Sequence, residues 1–276
     1  MVNIKSQKWR NLAKEMFAWL LALIVIIPFV IVIFNAFKTQ NESFNVSIIP
    51  PTKLHWENFK KVWEVGNILR SYGNSFFLST VAVILSTMFS SMCSFVIQRH
   101  QTRVNRAIYI FFSLGLMFPL SMVTVVKVMR VLNLYNSRWG VAILFATLLL
   151  PLSIFLFYGF LKSIPRELDE AAIVDGAGAF RIFYQIIFPT LKPVTFTVVM
   201  INFLSAWNDF TIPLYLLPDP DKGVILLQIY SFFGQFTASW NLVMVAILYA
   251  IAPVMLLYIF GQRYIISGMV AGSVKG

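Results

Sequence analysis

Residues 170–189 read EAAIVDGAGAFRIFYQIIFP, a polar, glycine-containing stretch set between two long apolar runs, 139–161 and 193–218. So placed, it is a loop between two spans of a hydrophobic protein, and its width, 162–192, exceeds what a simple connection needs. The composition around it sets the solvent. Apolar residues make up 59% of the chain and charged residues 12%, with 27 Phe in 276 positions. A soluble domain carries about twice that charged share, so most of this chain is expected to face lipid or other apolar helices.

A helix needs about 20 apolar residues to cross a hydrocarbon core about 30 Å thick. Uncharged runs of that length cover 16–37, 71–98, 107–126 and 139–161, and a fifth, 193–217, is interrupted only by Asp209. The uncharged run 223–262 is too long for one crossing. Its second part, 240–261, is the expected sixth span. Its first part, with Gln228, Ser231, Gly234 and Gln235, reads as an interfacial or re-entrant piece. The expectation is an all-α integral membrane protein with six transmembrane helices.

With the N-terminus inside, 13 of the 22 Lys and Arg fall on the inner side, including the short Arg99–Arg106 loop. The positive-inside rule then puts both termini, and the loop 162–192, in the cytoplasm. Residues 1–15 become a cytoplasmic N-terminal segment and 262–276 a cytoplasmic tail. The run 16–37 is too long for the apolar region of a signal peptide. The net charge of +11 is scattered over membrane-flanking segments, which suits anionic lipid headgroups and not nucleic acid. Cys93 stands alone, so no intrachain disulfide forms. His55 and His100 fall on opposite sides of the membrane and make no metal site.

Elementary rules also shape the loop. Pro165 suits a first helical turn, and Glu167, Asp169 and Glu170 then lie where carboxylates favour the positive helix end. That helix is expected to run to about Val174. Gly176 and Gly178 interrupt it with a sharp turn, and a second helical piece from Ala179 to Phe188 ends at Pro189. Ala171, Ala172 and Gly176 are expected to present a small-residue surface to a partner groove, leaving Glu170 to pair with a basic residue there. The competing reading is a helix lying on the membrane, but 166–178 lack the Lys/Arg-rich face such helices carry.

Trp207-Asn208-Asp209 is the second constellation. Counted from Pro193, Asp209 lies about 24 Å into the fifth span. An ionisable group there usually faces a bundle interior or a water-filled path, which would make this triplet a translocation-path or gate element. A helix-capping contact or ion pair fixing the outer end of the span is the alternative, and the residues allow both. The aromatics Phe111, Phe112, Phe118, Tyr158 and Phe203 are expected to serve packing or lipid contact. Outside the spans, Pro50-Pro51 blocks a helix, and Asn58 to Trp63 can form a short interfacial one.

The spacing Glu170-Ala171-Ala172, three residues, Gly176, nine residues, Ile186, one residue, Phe188-Pro189 resembles the EAA loop of bacterial ABC importer permeases, with Phe188 where that pattern has Leu. Asn74-Ser75, Trp207-Asn208-Asp209-Phe210 and the terminal stretch Gly268 to Gly276 extend the resemblance to the maltose-type, MalG-like carbohydrate permeases over nearly the whole chain. The resemblance implies a type I ABC importer permease fold in a bacterial inner membrane. It implies three kinds of partner besides membrane lipid: a second, homologous permease subunit in a heterodimer, two ATP-binding subunits, and an extracytoplasmic sugar-binding protein. ATP and Mg would be bound by those ATPase subunits, with no cofactor in this chain. Glu170, Ala171, Ala172, Gly176, Ile186 and Pro189 would then couple to the ATPase. Residues 219–239 match the outer loop that can reach the binding protein, and the terminal tail would approach the ATPase pair.

The function expected on this footing is transport of a di- or oligosaccharide, with no catalytic site in the chain. A sugar-phosphate such as glycerol 3-phosphate is the rival substrate, for which Lys127 and Arg130 would supply charge. An ion-coupled secondary transporter is the other class. It would need several intramembrane ionisable residues, and Asp209 is the one evident.

Overall fold

A computed structural model describes the backbone of residues 4–232 and 239–273, and the side chains of 11, 12, 14–230, 232, 239–259 and 261. Among these residues every regular element is helical: α1 (Ile4–Ala36), α2 (Gln40–Ser43), α3 (Glu57–Val65), α4 (Ile68–Arg99), α5 (Arg103–Gly115), α6 (Met122–Val131), α7 (Arg138–Leu161), α8 (Glu167–Val174), α9 (Ala179–Arg181), a π-helical turn (Ile182–Ile187), α10 (Phe188–Thr190), α11 (Lys192–Asn208), α12 (Thr211–Leu216), a 3₁₀ turn (Pro220–Lys222), α13 (Ile225–Ser231) and α14 (Trp240–Ser273). Four helical stretches are long and apolar enough to cross a membrane: Lys14–Ala36, Ile68–Arg99, Arg138–Leu161 and Trp240–Ile259. A fifth arises if Ala179–Thr190 and Lys192–Asn208, bent by 79° at Leu191, count as one broken span.

Several elements depart from the sequence expectation. The run 107–126 is not one helix. α5 stops at Gly115 and α6 starts at Met122, because Pro119 lacks an N–H and disfavours helical geometry at Phe118 before it. The run 193–217 is likewise divided, since α11 ends at Asn208 and Asp209 is extended (φ −80°, ψ 117°). Helices also outrun the charged residues that bounded the spans: α1 begins at Ile4, and α14 continues through the expected tail to Ser273. Charge marks where lipid ends, not where backbone hydrogen bonding ends. Residues 233–238 of the expected re-entrant piece and 274–276 of the tail lie outside the described residues, while 225–231 form α13.

The chain divides into two compact units. The first combines residues up to 69 with 228–252. Side-chain hydrogen bonds tie its polar centre together. Asn58 Nδ2 donates to the carbonyls of Ala36 and Lys38, both at 2.9 Å, and Asn58 Oδ1 accepts from Asn241 Nδ2 at 3.2 Å. Lys38, only 3% exposed, donates from Nζ to Asn35 Oδ1 and Ser47 Oγ. A buried ammonium without such acceptors would be costly. α3 covers the expected interfacial segment, with Phe59 and Trp63 packing on the Tyr249 ring.

The second unit holds 70–227 and the helix from 253 onward. Two apolar clusters fill it. One gathers Leu78, Ala82, Val141, Phe145, Ala206, Ile212 and Leu216 from α4, α7, α11 and α12. The other gathers Phe157, Leu161, Ile164, Ala172, Ile182, Ile187, Leu191, Val194 and Val198, so that the loop 162–192 packs into the same core as the helices it joins. A polar junction ties α4, α7 and α11: Asn202 Nδ2 donates to Ser86 Oγ (3.0 Å) and Ser153 Oγ (2.9 Å), and all three residues are buried.

Candidate coupling site

The loop begins where α7 ends, and its first helix spans Glu167–Val174 as the sequence suggests. Glu167, Asp169 and Glu170 occupy its first turn. Its end is closed by a Schellman motif: Ala177 N–H donates to Ala172 O, and Gly176 N–H to Ile173 O, both at 2.9 Å. Gly176 supplies the left-handed residue that this motif requires, with φ +77°. No atom stands within 4 Å of a Cβ placed there, so glycine answers a backbone need and not a space need.

The motif also explains the position of Ala172. It stands three residues from the helix end, where a contact with the residue after Gly176 usually accompanies this closure. Ala172 is 5% exposed, and both it and Ala177 pack into the cluster of Phe157 and Leu191. The expected surface of Ala171, Ala172 and Gly176 is therefore corrected: Ala172 faces inward and seats the helix, while Glu170, Ala171 and Gly176 are exposed. Large apolar side chains are exposed beside them. Ile173, Val174 and Phe180 are 62%, 87% and 72% exposed.

Ile186 is half-buried against the same core and Pro189 is exposed. The second helical piece continues to Thr190 and does not end at Pro189. Its π-helical turn, Ile182–Ile187, widens the backbone just before Pro189, whose ring and missing N–H would disrupt an α-helical bond to Gln185.

A charged clasp, not evident in the sequence, holds the loop to α4. Arg99 and Asp169 form an ion pair at 2.5 Å, their side chains 7% and 13% exposed. Arg99 Nη1 also donates to Ile164 O, and Arg166 Nη2 to Gln98 O. Burial raises the Asp169 carboxyl above its ordinary range, and the adjoining Arg99 charge offsets only part of this. Seventy residues separate the partners, and no local pattern joins them.

The second constellation lies at the far end of α11. Trp207 is 2% exposed; its ring stacks on Phe203 at 5.6 Å and meets Phe76 edge-on at 4.9 Å. Asn208 is exposed. Asp209 Oδ1 accepts from Ile212 N–H at 2.8 Å, a capping contact across the break between α11 and α12. Trp207 therefore packs within the unit, and the capping alternative considered for Asp209 is the contact the structure contains.

Comparisons with known proteins agree with this architecture. The family described as "Binding-protein-dependent transport system inner membrane component" matches residues 82–270. The "Probable starch degradation products transport system permease protein AmyC" of Thermoanaerobacterium thermosulfurigenes is 32% identical, over 92% of this chain and 93% of that protein. The "Melibiose/raffinose/stachyose import permease protein MelC" of Bacillus subtilis is 31% identical over 91% of each. The crystal structure of a bacterial ABC transporter involved in the import of the acidic polysaccharide alginate contains a chain that superposes with a TM-score of 0.83 at 20% identity, covering 94% of this chain and 97% of that one. At that identity the likeness concerns the fold.

Proposed function

The chain belongs to the family of binding-protein-dependent transport system inner membrane components, and on that premise we propose that it is the permease subunit of an ABC importer for a di- or oligosaccharide. ATP is hydrolysed in separate partner subunits. The chain crosses the inner membrane six times with both termini cytoplasmic, the divided segments 103–131 and 192–216 each serving as one crossing. A second, homologous permease completes the pathway, two ATP-binding subunits dock below, and a sugar-binding protein delivers substrate from outside. α1 supports a lipid or partner-subunit setting, since none of its most apolar stretch is buried within the chain.

The observation that carries the reading is the loop 162–192. Its outward face offers Glu170, Ile173, Val174 and Phe180 to a partner, while its inward face is continuous with the core of α7 and α11. A partner that moves α8 therefore moves those helices, which gives ATP-driven closure a route to alternating access. The names of AmyC and MelC, which refer to starch degradation products and to melibiose, raffinose and stachyose, support the substrate class.

The test is affinity purification in mild detergent, followed by ATP hydrolysis and sugar uptake after reconstitution. An ATPase and a second permease should co-purify, and Gly176→Val should stop uptake while the chain stays in the membrane. Normal uptake by that variant would overturn the coupling role.

A further inference from the structure

At the end of α7 away from the coupling loop, about 36 Å along the helix, the second unit contains a cavity of about 650 Å³. Arg70, Arg138 and Lys222 line it, together with Asn74, Phe77 and Trp139. Two of the cations are matched nearby, Arg70 by Asp221 and Lys222 by Asp219 at 3.3 Å. Arg138 has no ion pair among the described residues, so the cluster keeps one positive charge.

Arg138 is also held in place. Its Nη1 donates to Asn74 Oδ1 at 3.0 Å, and Asn74 Nδ2 is fixed by the carbonyls of Asp221 and Gly223, each at 3.0 Å. The guanidinium lies 5.7 Å from the centre of the Phe77 ring, and that ring meets Trp139 edge-on at 4.9 Å. Trp139 is 59% exposed at the start of a long apolar helix, the level at which Trp marks a membrane–water boundary. A preset cation with unused donors, an aromatic wall and a net charge of +1 suits a monoanion with an apolar continuation. We propose that this cavity binds a phosphodiester monoanion, the headgroup of an anionic phospholipid at the membrane surface, with Arg138 on the phosphate and Trp139 beside the glycerol backbone. A soluble phosphate ester shares the anionic chemistry but would leave the aromatic wall without a partner.

The site does not rest on the substrate and is tested apart from transport. The purified, delipidated complex would be titrated with dioleoyl-phosphatidylglycerol or dioleoyl-phosphatidylcholine and bound lipid counted by native mass spectrometry. A parallel arm would add glycerol 1-phosphate as competitor. The wild type should retain the anionic lipid selectively. Arg138→Gln should lower retention about tenfold, as expected for loss of a charge-assisted hydrogen bond. Arg130→Gln, outside the cavity, should change nothing. Asp221→Asn adds one net positive charge and should raise retention, an outcome misfolding cannot imitate. Equal retention in wild type and both cavity variants would overturn the site. Displacement of the lipid by glycerol 1-phosphate at comparable concentration would overturn the lipid assignment in favour of a soluble ester.

Discussion

Replacing Arg99 should loosen α8 far more than replacing its partner, Asp169. The pair is buried, and removing one member of a buried pair typically costs about 3–5 kcal/mol because the other charge is stranded. Arg99→Gln strands a carboxylate whose pKa burial already raises. Asp169→Asn leaves an amide oxygen opposite the Arg99 guanidinium, which also keeps its contacts to Ile164 O and Gln98 Oε1. Its cost should be nearer the 1–2 kcal/mol of a lost hydrogen bond. The readout is amide hydrogen exchange in α8 within the assembled complex. Exchange should speed up by roughly a hundredfold or more in Arg99→Gln, and by about tenfold in Asp169→Asn, since each 1.4 kcal/mol is a factor of ten.

The two variants also differ in pH dependence. A carboxyl whose folded pKa exceeds its unfolded one holds extra protons in the folded state, so its contribution to stability declines as pH rises between the two values. Without Arg99 the Asp169 carboxyl is raised further and that window widens upward. α8 protection in Arg99→Gln should therefore fall as pH rises from the ordinary Asp range, and Asp169→Asn should abolish the trend. A larger loss in Asp169→Asn than in Arg99→Gln, or a pH-independent Arg99→Gln, would refute the reasoning.

Three further outcomes follow from the geometry. Asp209→Asn keeps an acceptor for Ile212 N–H, whereas Asp209→Ala should destabilise the α11–α12 junction by about 1 kcal/mol; a transport loss in Asp209→Asn with unchanged stability would instead favour a gate role. Asn202→Leu leaves the hydroxyls of Ser86 and Ser153 without their shared donor and should lower thermal stability of the complex by about 1–3 kcal/mol, measured against Ser153→Ala, which removes one acceptor alone. Hydrogen bonds from Thr52 and Thr39 hold the Glu42 carboxyl below its ordinary range, so protection of α2 should persist above that range and fade as pH falls through the lowered pKa; Glu42→Gln should remove this dependence in exchange measurements.

The parts that sequence anticipates share a local cause. α8 falls at Glu167–Val174 because its acidic first turn and Gly176 act within a few residues of the backbone they shape. The breaks after Gly115 and Asn208 carry local signals too, Pro119 and Asp209, but counting spans by length passes over them. The inward turn of Ala172 requires knowing which face of an eight-residue helix meets a core built from α7 and α11. Arg99 with Asp169, and Asn202 with Ser86 and Ser153, are pairings across helices, set by packing that no spacing encodes. The cavity beside Arg138 is of the same kind, since Arg70, Asn74 and Lys222 reach it from distant segments.

On the proposed function, α8 docks on an ATPase through its outward face. This docking is tested most directly by placing a photo-crosslinking side chain, one position at a time, at Glu170, Ala172 and Val174 in the assembled complex. Val174 and Glu170, both exposed, should cross-link to the ATP-binding subunit with a yield that changes on adding ATP, and Ala172, 5% exposed, should not. Cross-links from Val174 to lipid alone, with and without ATP, would contradict it.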